Sequence, residues 1–334
     1  MKNPYFNFLL YPFAKIYELI SNIRLFLYKI NILKQYSVDC KIISIGNLTL
    51  GGTGKTPHTI YFAQDYLNKN YNVTVLSRGY KRKSNSEYII FNKLSSVALN
   101  EIGDEPYLMA HLLPQINIIV GKDRYKTAKI AVEKLNTNLI ILDDGYQHLR
   151  LKRDENILLI DYNSDFTNLQ IFPQGSLRES FTGLNRASKI IITKIPSDYN
   201  LDYFGKLVNF IHKYNSHAPI LKSRQVIKNI SYNKSIMSIP QLQKFKTALL
   251  FSGIANENNF IDTVKSLNIN ILQTLKFHDH HWYNEEDLKK IESAYKASNA
   301  EIIITTAKDY LKIPETFTLL DKTYALNIEI EIFD

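Results

Sequence analysis

The stretch Ile42-Ile43-Ser44-Ile45-Gly46-Asn47-Leu48-Thr49-Leu50-Gly51-Gly52-Thr53-Gly54-Lys55-Thr56-Pro57 decides how this 334-residue chain is read. It opens as a β-branched apolar run, passes through a glycine-rich turn and ends where a helix over Thr56 to Asn68 is expected. Glycines in such a turn let main-chain N–H groups converge on phosphate oxygens, where any Cβ would block the approach. Lys55 is then placed to reach the β- and γ-phosphates, and the Thr56 hydroxyl to bind Mg2+. Thr49 stands where the pattern G-x-x-x-x-G-K-[ST] has its first glycine, so the loop is a variant. Thr49, Gly51, Gly52, Thr53, Gly54, Lys55 and Thr56 are the expected nucleoside triphosphate contacts.

Outward from this loop the chain alternates short β-branched runs with amphipathic stretches. Strands are expected at Lys41 to Ile45, Asn72 to Leu76, Ile116 to Val120, Leu139 to Leu142, Ile157 to Ile160 and Lys189 to Thr193, with helices such as Asp123 to Leu135 between them. Runs that are apolar throughout suit a mostly parallel sheet with helices on both faces, an α/β fold of the P-loop NTPase type. A second cycle follows, with strands at Lys246 to Phe251, Ile271 to Lys276, Glu301 to Thr305 and Thr323 to Ile330 and helices near Glu257 to Leu267 and Asn284 to Ala297. The polar, Pro-containing stretch Ala218 to Lys244 reads as an irregular junction. The expected organisation is an N-terminal segment 1–38, a P-loop core 39–220 and a smaller C-terminal α/β domain 221–334 that includes the linker.

A triphosphate site needs a metal-side acid. Leu139-Ile140-Ile141-Leu142-Asp143-Asp144 delivers two carboxylates at the C-terminal end of a strand, where ligands sit in open α/β sheets. Lys and Arg total 41 against 32 Asp and Glu, a formal charge of +9 that suits a polyanionic ligand or an anionic membrane surface. Four of these cations, Arg78, Lys81, Arg82 and Lys83, follow the second strand and form a candidate phosphate-binding cluster or a solvated loop. Nucleic-acid binding would rest on net charge alone, with no motif to carry it. Cys40 is the only cysteine, which excludes an intramolecular disulfide and a thiolate metal site.

The N-terminus differs from the rest. Residues 1 to 40 hold nine of the chain's 40 aromatic residues, where even spacing would put about five. Lys15, Glu18 and Arg24 interrupt the apolar run well short of the roughly 20 residues a spanning helix needs. Two readings remain: a helix lying in a membrane interface with Lys2, Lys15, Arg24, Lys29 and Lys34 toward lipid phosphates, or a helix packed on the protein's own core.

Gly46-Asn47, Gly51-Gly52-Thr53-Gly54-Lys55-Thr56-Pro57, Ser77-Arg78-Gly79-Tyr80, Gly103-Asp104-Glu105-Pro106 and Asp143-Asp144-Gly145-Tyr146-Gln147-His148 together resemble the tetraacyldisaccharide 4′-kinase family of lipid A synthesis. The similarity continues through Phe172-Pro173-Gln174-Gly175-Ser176-Leu177-Arg178-Glu179, Phe251-Ser252-Gly253-Ile254-Ala255, Phe277-His278-Asp279-His280-His281 and Thr305-Thr306-Ala307-Lys308-Asp309, and so covers most of the chain. Ser176 stands where the family has a proline, and Ala307 where it has a glutamate. The resemblance implies a peripheral enzyme of the cytoplasmic face of the inner membrane. Such an enzyme moves the γ-phosphoryl group of ATP to the 4′-hydroxyl of a tetraacylated glucosamine disaccharide 1-phosphate, with the N-terminal helix as its membrane contact. It also implies that Asp104, as base for the sugar hydroxyl, works with His280, and that the latter pairing requires domain closure. His281 is the neighbour to exclude first.

Within this reading Thr56, Asp143, Asp144 and Glu179 are the Mg2+ candidates, and Arg78, Arg124, Gln147, His148 and Arg178 are substrate-site candidates. His148 is a second candidate for the base. The rival reading is a deviant P-loop ATPase that switches assemblies on membrane or DNA, but Leu50 stands where those proteins carry a signature lysine. A cytosolic small-molecule kinase or metallochaperone GTPase would have no use for the aromatic N-terminus.

Overall fold

The computed structural model describes residues 4–79, 82, 84, 86–92 and 99–334, without the side chains of residues 4–7 and Asn100. Lys2, Tyr80, Lys81 and Lys83, and the side chains of Tyr5 and Phe6, lie outside the described residues. The chain divides into two units, Met1–Arg224 with Ile330–Asp334, and Gln225–Glu329.

The first unit contains α1 (Pro4–Lys29), β1 (Lys41–Gly46), α2 (Lys55–Asn68), β2 (Val73–Ser77), β3 (Tyr88–Phe91), α3 (Leu99–Ile102), α4 (Asp104–Leu112), β4 (Asn117–Gly121), α5 (Arg124–Leu135), β5 (Leu139–Asp143), β6 (Glu155–Asp161), β7 (Lys189–Thr193), α6 (Leu201–His212) and the start of β8 (Ile220–Tyr232). Strand order is β8-β7-β6-β1-β5-β2-β4-β3, parallel except for the edge strand β3. The strands are apolar throughout because each residue parity meets its own helix layer. Ile43, Ile45 and Ile141 pack with Phe62 and Ala63 of α2 and Met109 of α4, while Ile42, Ile140 and Leu142 pack with Ala128 and Ala131 of α5. Register then does the positioning: Ile45, at the mouth of the glycine loop, lies opposite Asp143.

The second unit holds the rest of β8, β9 (Ser235–Met237), α7 (Ile239–Leu242), β10 (Thr247–Ser252), α8 (Glu257–Lys265), β11 (Asn270–Lys276), α9 (Glu285–Ser298), β12 (Ile302–Thr306), α10 (Ala307–Tyr310) and most of β13 (Thr323–Phe333). Its parallel strands run in the order β11-β10-β12-β13. The stretch 218–244, expected to be irregular, instead carries the 13-residue strand β8. Most of its side chains are only half-buried, so neither a continuous apolar run nor a clean alternation marks it.

Helix α1 runs for 26 residues with Pro12 inside it, and Ala14 is the one side chain among those described on it that is buried. Phe8, Leu9 and Phe13 are 79%, 65% and 64% exposed, and Ile16, Leu19, Ile20, Ile23 and Phe26 also face outward. A helix packed on the core by all of its apolar residues would hide these side chains; α1 instead meets the protein along one side, at Ala14, Tyr17 and Arg24. Among the described residues no helix is long and apolar enough to cross a membrane.

Candidate active site

The glycine loop leaves β1 and enters α2 through Gly54, the N-cap residue, at φ +85°; Gly51 sits at φ +111°. Both are left-handed conformations that residues with a Cβ adopt at a cost. A Cβ built on Gly51 or Gly52 would meet nothing within 4 Å, so this face of the loop is open to a ligand. The opposite side is clamped. Leu50 N–H donates to the Ser176 carbonyl at 2.6 Å, Arg178 N–H to Leu48 O at 2.7 Å, and the Thr193 hydroxyl to Thr53 O at 3.0 Å. Ser176 therefore serves the loop through its main chain, which accommodates serine in place of the family's proline. Lys194 donates at 2.6 Å to Gly52 O and to Asp161, a second lysine on the loop that no sequence pattern flagged.

Lys55, the first residue of α2, donates to Gly51 O at 3.3 Å and lies 3.9 Å from Asp144. Asp143 is buried at the end of β5 and accepts from the Thr59 hydroxyl at 3.3 Å and the Ser77 hydroxyl at 3.2 Å. Burial, reinforced by Glu105 and Asp144, raises its pKa to about 7, with Lys55 and Arg124 opposing. A buried carboxylate with hydroxyl partners, beside an open phosphate cradle, supplies the oxygen donors that a hard divalent cation such as Mg2+ takes.

Asp144 accepts from Arg178 with both carboxylate oxygens, at 2.9 and 3.0 Å. Gln147 links this pair onward: its Oε1 accepts from Arg178 at 3.4 Å, and its Nε2 donates to Glu179 at 2.9 Å and to Asn47 O at 2.8 Å. Glu179 is buried and ion-paired to Arg186 at 2.8 Å. Its carboxylate is thus engaged by a guanidinium and an amide, unlike the open metal contact read from sequence, where the neighbouring Arg178 gave no hint of these partners. Arg24 of α1 donates to Gln147 O at 3.1 Å, tying the exposed helix to the acidic loop.

Asp104 is the first residue of α4, 7% exposed, with Oδ1 accepting from Glu105 N–H at 3.0 Å. Its helix faces the acidic pair, since Glu105 is close enough to raise Asp143. Arg124 is buried, donates to Gly121 O, and feels Asp143, Asp144 and Arg78; burial lowers its pKa to about 10. Arg78 is exposed, whereas Arg82 is pinned to the carbonyls of Val120 and Ser86 and serves its own loop. His148 keeps Nε2 buried without a hydrogen-bond partner, and burial lowers its pKa to about 4, which makes it a weak base. In the second unit His280 accepts from Lys308 at Nδ1, 3.1 Å away. His281 instead bonds Asp287 at 2.8 Å and stacks on Phe277.

Against known proteins, the profile of the tetraacyldisaccharide-1-P 4'-kinase family, LpxK, matches residues 6–334. The chain belongs to this family. A tetraacyldisaccharide 4'-kinase of Halothermothrix orenii is 34% identical over 343 residues, covering 97% of this chain and 89% of the relative. One from Aquifex aeolicus is 34% identical over 97% of this chain and 94% of its own length. A crystal structure of LpxK from Aquifex aeolicus in complex with ATP matches with TM-score 0.79 at 31% identity, covering 98% of this chain and 95% of that one. The chain is thus a kinase that phosphorylates the 4′-hydroxyl of a tetraacyldisaccharide 1-phosphate with ATP, in lipid A biosynthesis. The rival ATPase switch is not favoured.

Proposed function

We propose that this kinase works as a peripheral enzyme on the cytoplasmic face of the inner membrane, with Asp104 as the base and His280 as its partner. The Asp104 part of this reading is supported by one observation: Lys55, Asp143, Asp144, Arg178 and the N-terminus of α4, where Asp104 lies, gather around an open glycine cradle. The loop amides and Lys55 hold the triphosphate, and Lys194 braces the loop from behind. Thr56 with Asp143 or Asp144 would hold Mg2+, which neutralises charge on the phosphates. Glu179 acts on the acidic loop through Gln147 and is left out of that ligand set.

Asp104 accepts the proton of the 4′-hydroxyl as its oxygen attacks the γ-phosphorus, and ADP leaves. Arg78 and Arg124 are the cations that would meet phosphate oxygens, and Arg178 holds Asp144 in position for its part in binding Mg2+. A pairing of His280 with Asp104 makes catalysis depend on closure of the second unit, which would also expel water that could otherwise hydrolyse ATP.

The exposed apolar side of α1 supports an interfacial helix. Withdrawing an acyl chain from the bilayer costs about 0.8 kcal/mol per CH2, so the enzyme goes to its lipid. Phosphate transfer from ATP to a tetraacyl disaccharide 1-phosphate in mixed micelles tests the assignment. Lys55→Ala should abolish turnover, and Asp104→Ala and His280→Ala should lower kcat; near-normal kcat in the last two variants contradicts the base and its partner.

A further inference from the structure

The motif Thr305-Thr306-Ala307-Lys308-Asp309 has no part in the chemistry so far, yet it surrounds His280. Strands β10 and β12 are parallel neighbours, so the turns at their C-terminal ends, at Gly253 and at α10, meet. Asp309 Oδ2 accepts from the Thr306 hydroxyl at 2.7 Å and from Gly253 N–H at 3.0 Å. Gly253 O in turn accepts from His280 N–H at 3.1 Å. This chain of bonds holds His280 at φ +62°, a left-handed conformation that favours glycine and that a histidine keeps only when its surroundings impose it. The ring is held as well: Lys308 Nζ lies 3.1 Å from Nδ1.

We propose that Lys308 is a positioning residue that fixes the His280 imidazole as its Nε2–H tautomer. An ammonium group has three donors and no acceptor, so Nδ1 must present its lone pair to Lys308, and the neutral ring carries its proton on Nε2. Asp279 agrees with this polarity, its Oδ2 standing 3.7 Å from Nε2 and its Oδ1 3.9 Å from Lys308 Nζ. The consequence rests on the catalytic reading of His280 given above. A ring whose one lone pair is taken by Lys308 has none left for the sugar proton. His280 therefore meets a carboxylate as a hydrogen-bond donor, and the base is that carboxylate. Ala307, the departure from the family pattern, has no side-chain polar group to offer this loop, whereas Thr306, Lys308 and Asp309 make the bonds named above.

The test is a long-range 1H–15N spectrum of the full chain labelled with 15N-histidine, the His280 signals assigned by their loss in His280→Gln. In the wild type, Nδ1 should have the shift of an unprotonated acceptor nitrogen and Nε2 that of a protonated one. Lys308→Met should spread the proton over both nitrogens and lower kcat on the order of 100-fold, with KM for ATP unchanged. Lys308→Arg, which keeps a cationic donor, should restore most of both. A proton on Nδ1 in the wild type, which needs no variant to fold, or a wild-type tautomer in Lys308→Met overturns the proposal. If the tautomer contrast holds but His280→Gln keeps normal kcat, the catalytic reading of His280 fails and the assignment of Lys308 stands.

Discussion

The glycine loop of the first unit and the His280 loop of the second recruit polar chemistry in opposite ways. The loop at Gly51–Lys55 works with main-chain amides, so the groups that would meet the ligand are local: open space at Gly51 and Gly52, a left-handed Gly54, and Lys55, with Ser176, Thr193 and Lys194 only clamping the main chain from behind. The His280 loop works with a side chain whose state is set by groups distant in sequence, Lys308 on the ring and Asp309 through Gly253 on the backbone. A site built from backbone tolerates change beside it and none within it. A site built from side chains fails by degrees, one partner at a time.

That contrast orders the expected effects. Lys55→Ala should cost turnover about 1,000-fold or more in the micelle assay, because no neighbour replaces a charge aimed at the transferred group. Asp104→Asn should lower kcat by about 100- to 10,000-fold with KM for ATP little changed, the range of a positioned proton acceptor. Gly52→Ala sharpens the backbone half of the comparison: its Cβ enters the open cradle, so thermal stability should be kept while KM for ATP rises about tenfold, about 1.4 kcal/mol of binding. In Gly46→Ala the Cβ would fall 2.7 Å from Tyr146 Cβ, and the loss should be of stability, about 1–3 kcal/mol in a denaturant melt. Deleting residues 1–36 should weaken binding to anionic vesicles in a sedimentation assay; undiminished binding refutes the interfacial role of α1.

The smallest effect concerns His58, buried behind the loop between Gly54 O at 2.7 Å and the Ser223 hydroxyl at 2.9 Å. Burial lowers its pKa from 6.5 to about 4, so the unfolded chain binds this proton more readily than the folded one. Its contribution is present above pH 6.5 and is lost as pH falls toward 4. Thermal melts across that window should show a shallower decline for His58→Val than for the wild type.

The same contrast explains what could be read in the sequence. The strand, glycine turn and helix from Ile42 to Asn68 lie in one stretch, and β-branched runs buried on both faces announce a parallel sheet without any tertiary knowledge. Asp143 followed as the acid at a strand end. Strand β8 was hidden because its residues are half-buried, and Lys194 because a lone lysine after a strand carries no pattern. Arg178 and Glu179 looked like free site groups; their partners Asp144 and Arg186 are a matter of packing, which spacing does not encode. The link from Lys308 to His280 spans 28 residues and depends on two strands lying side by side.

The most direct test of Asp104 and His280 as one catalytic device is a double-mutant cycle of kcat for phosphate transfer to the lipid acceptor, using Asp104→Asn, His280→Gln and the double variant. Groups that act as a unit lose the unit once, so the double variant should be about as slow as Asp104→Asn alone. Losses that simply multiply would mean the two residues work independently and would contradict the account.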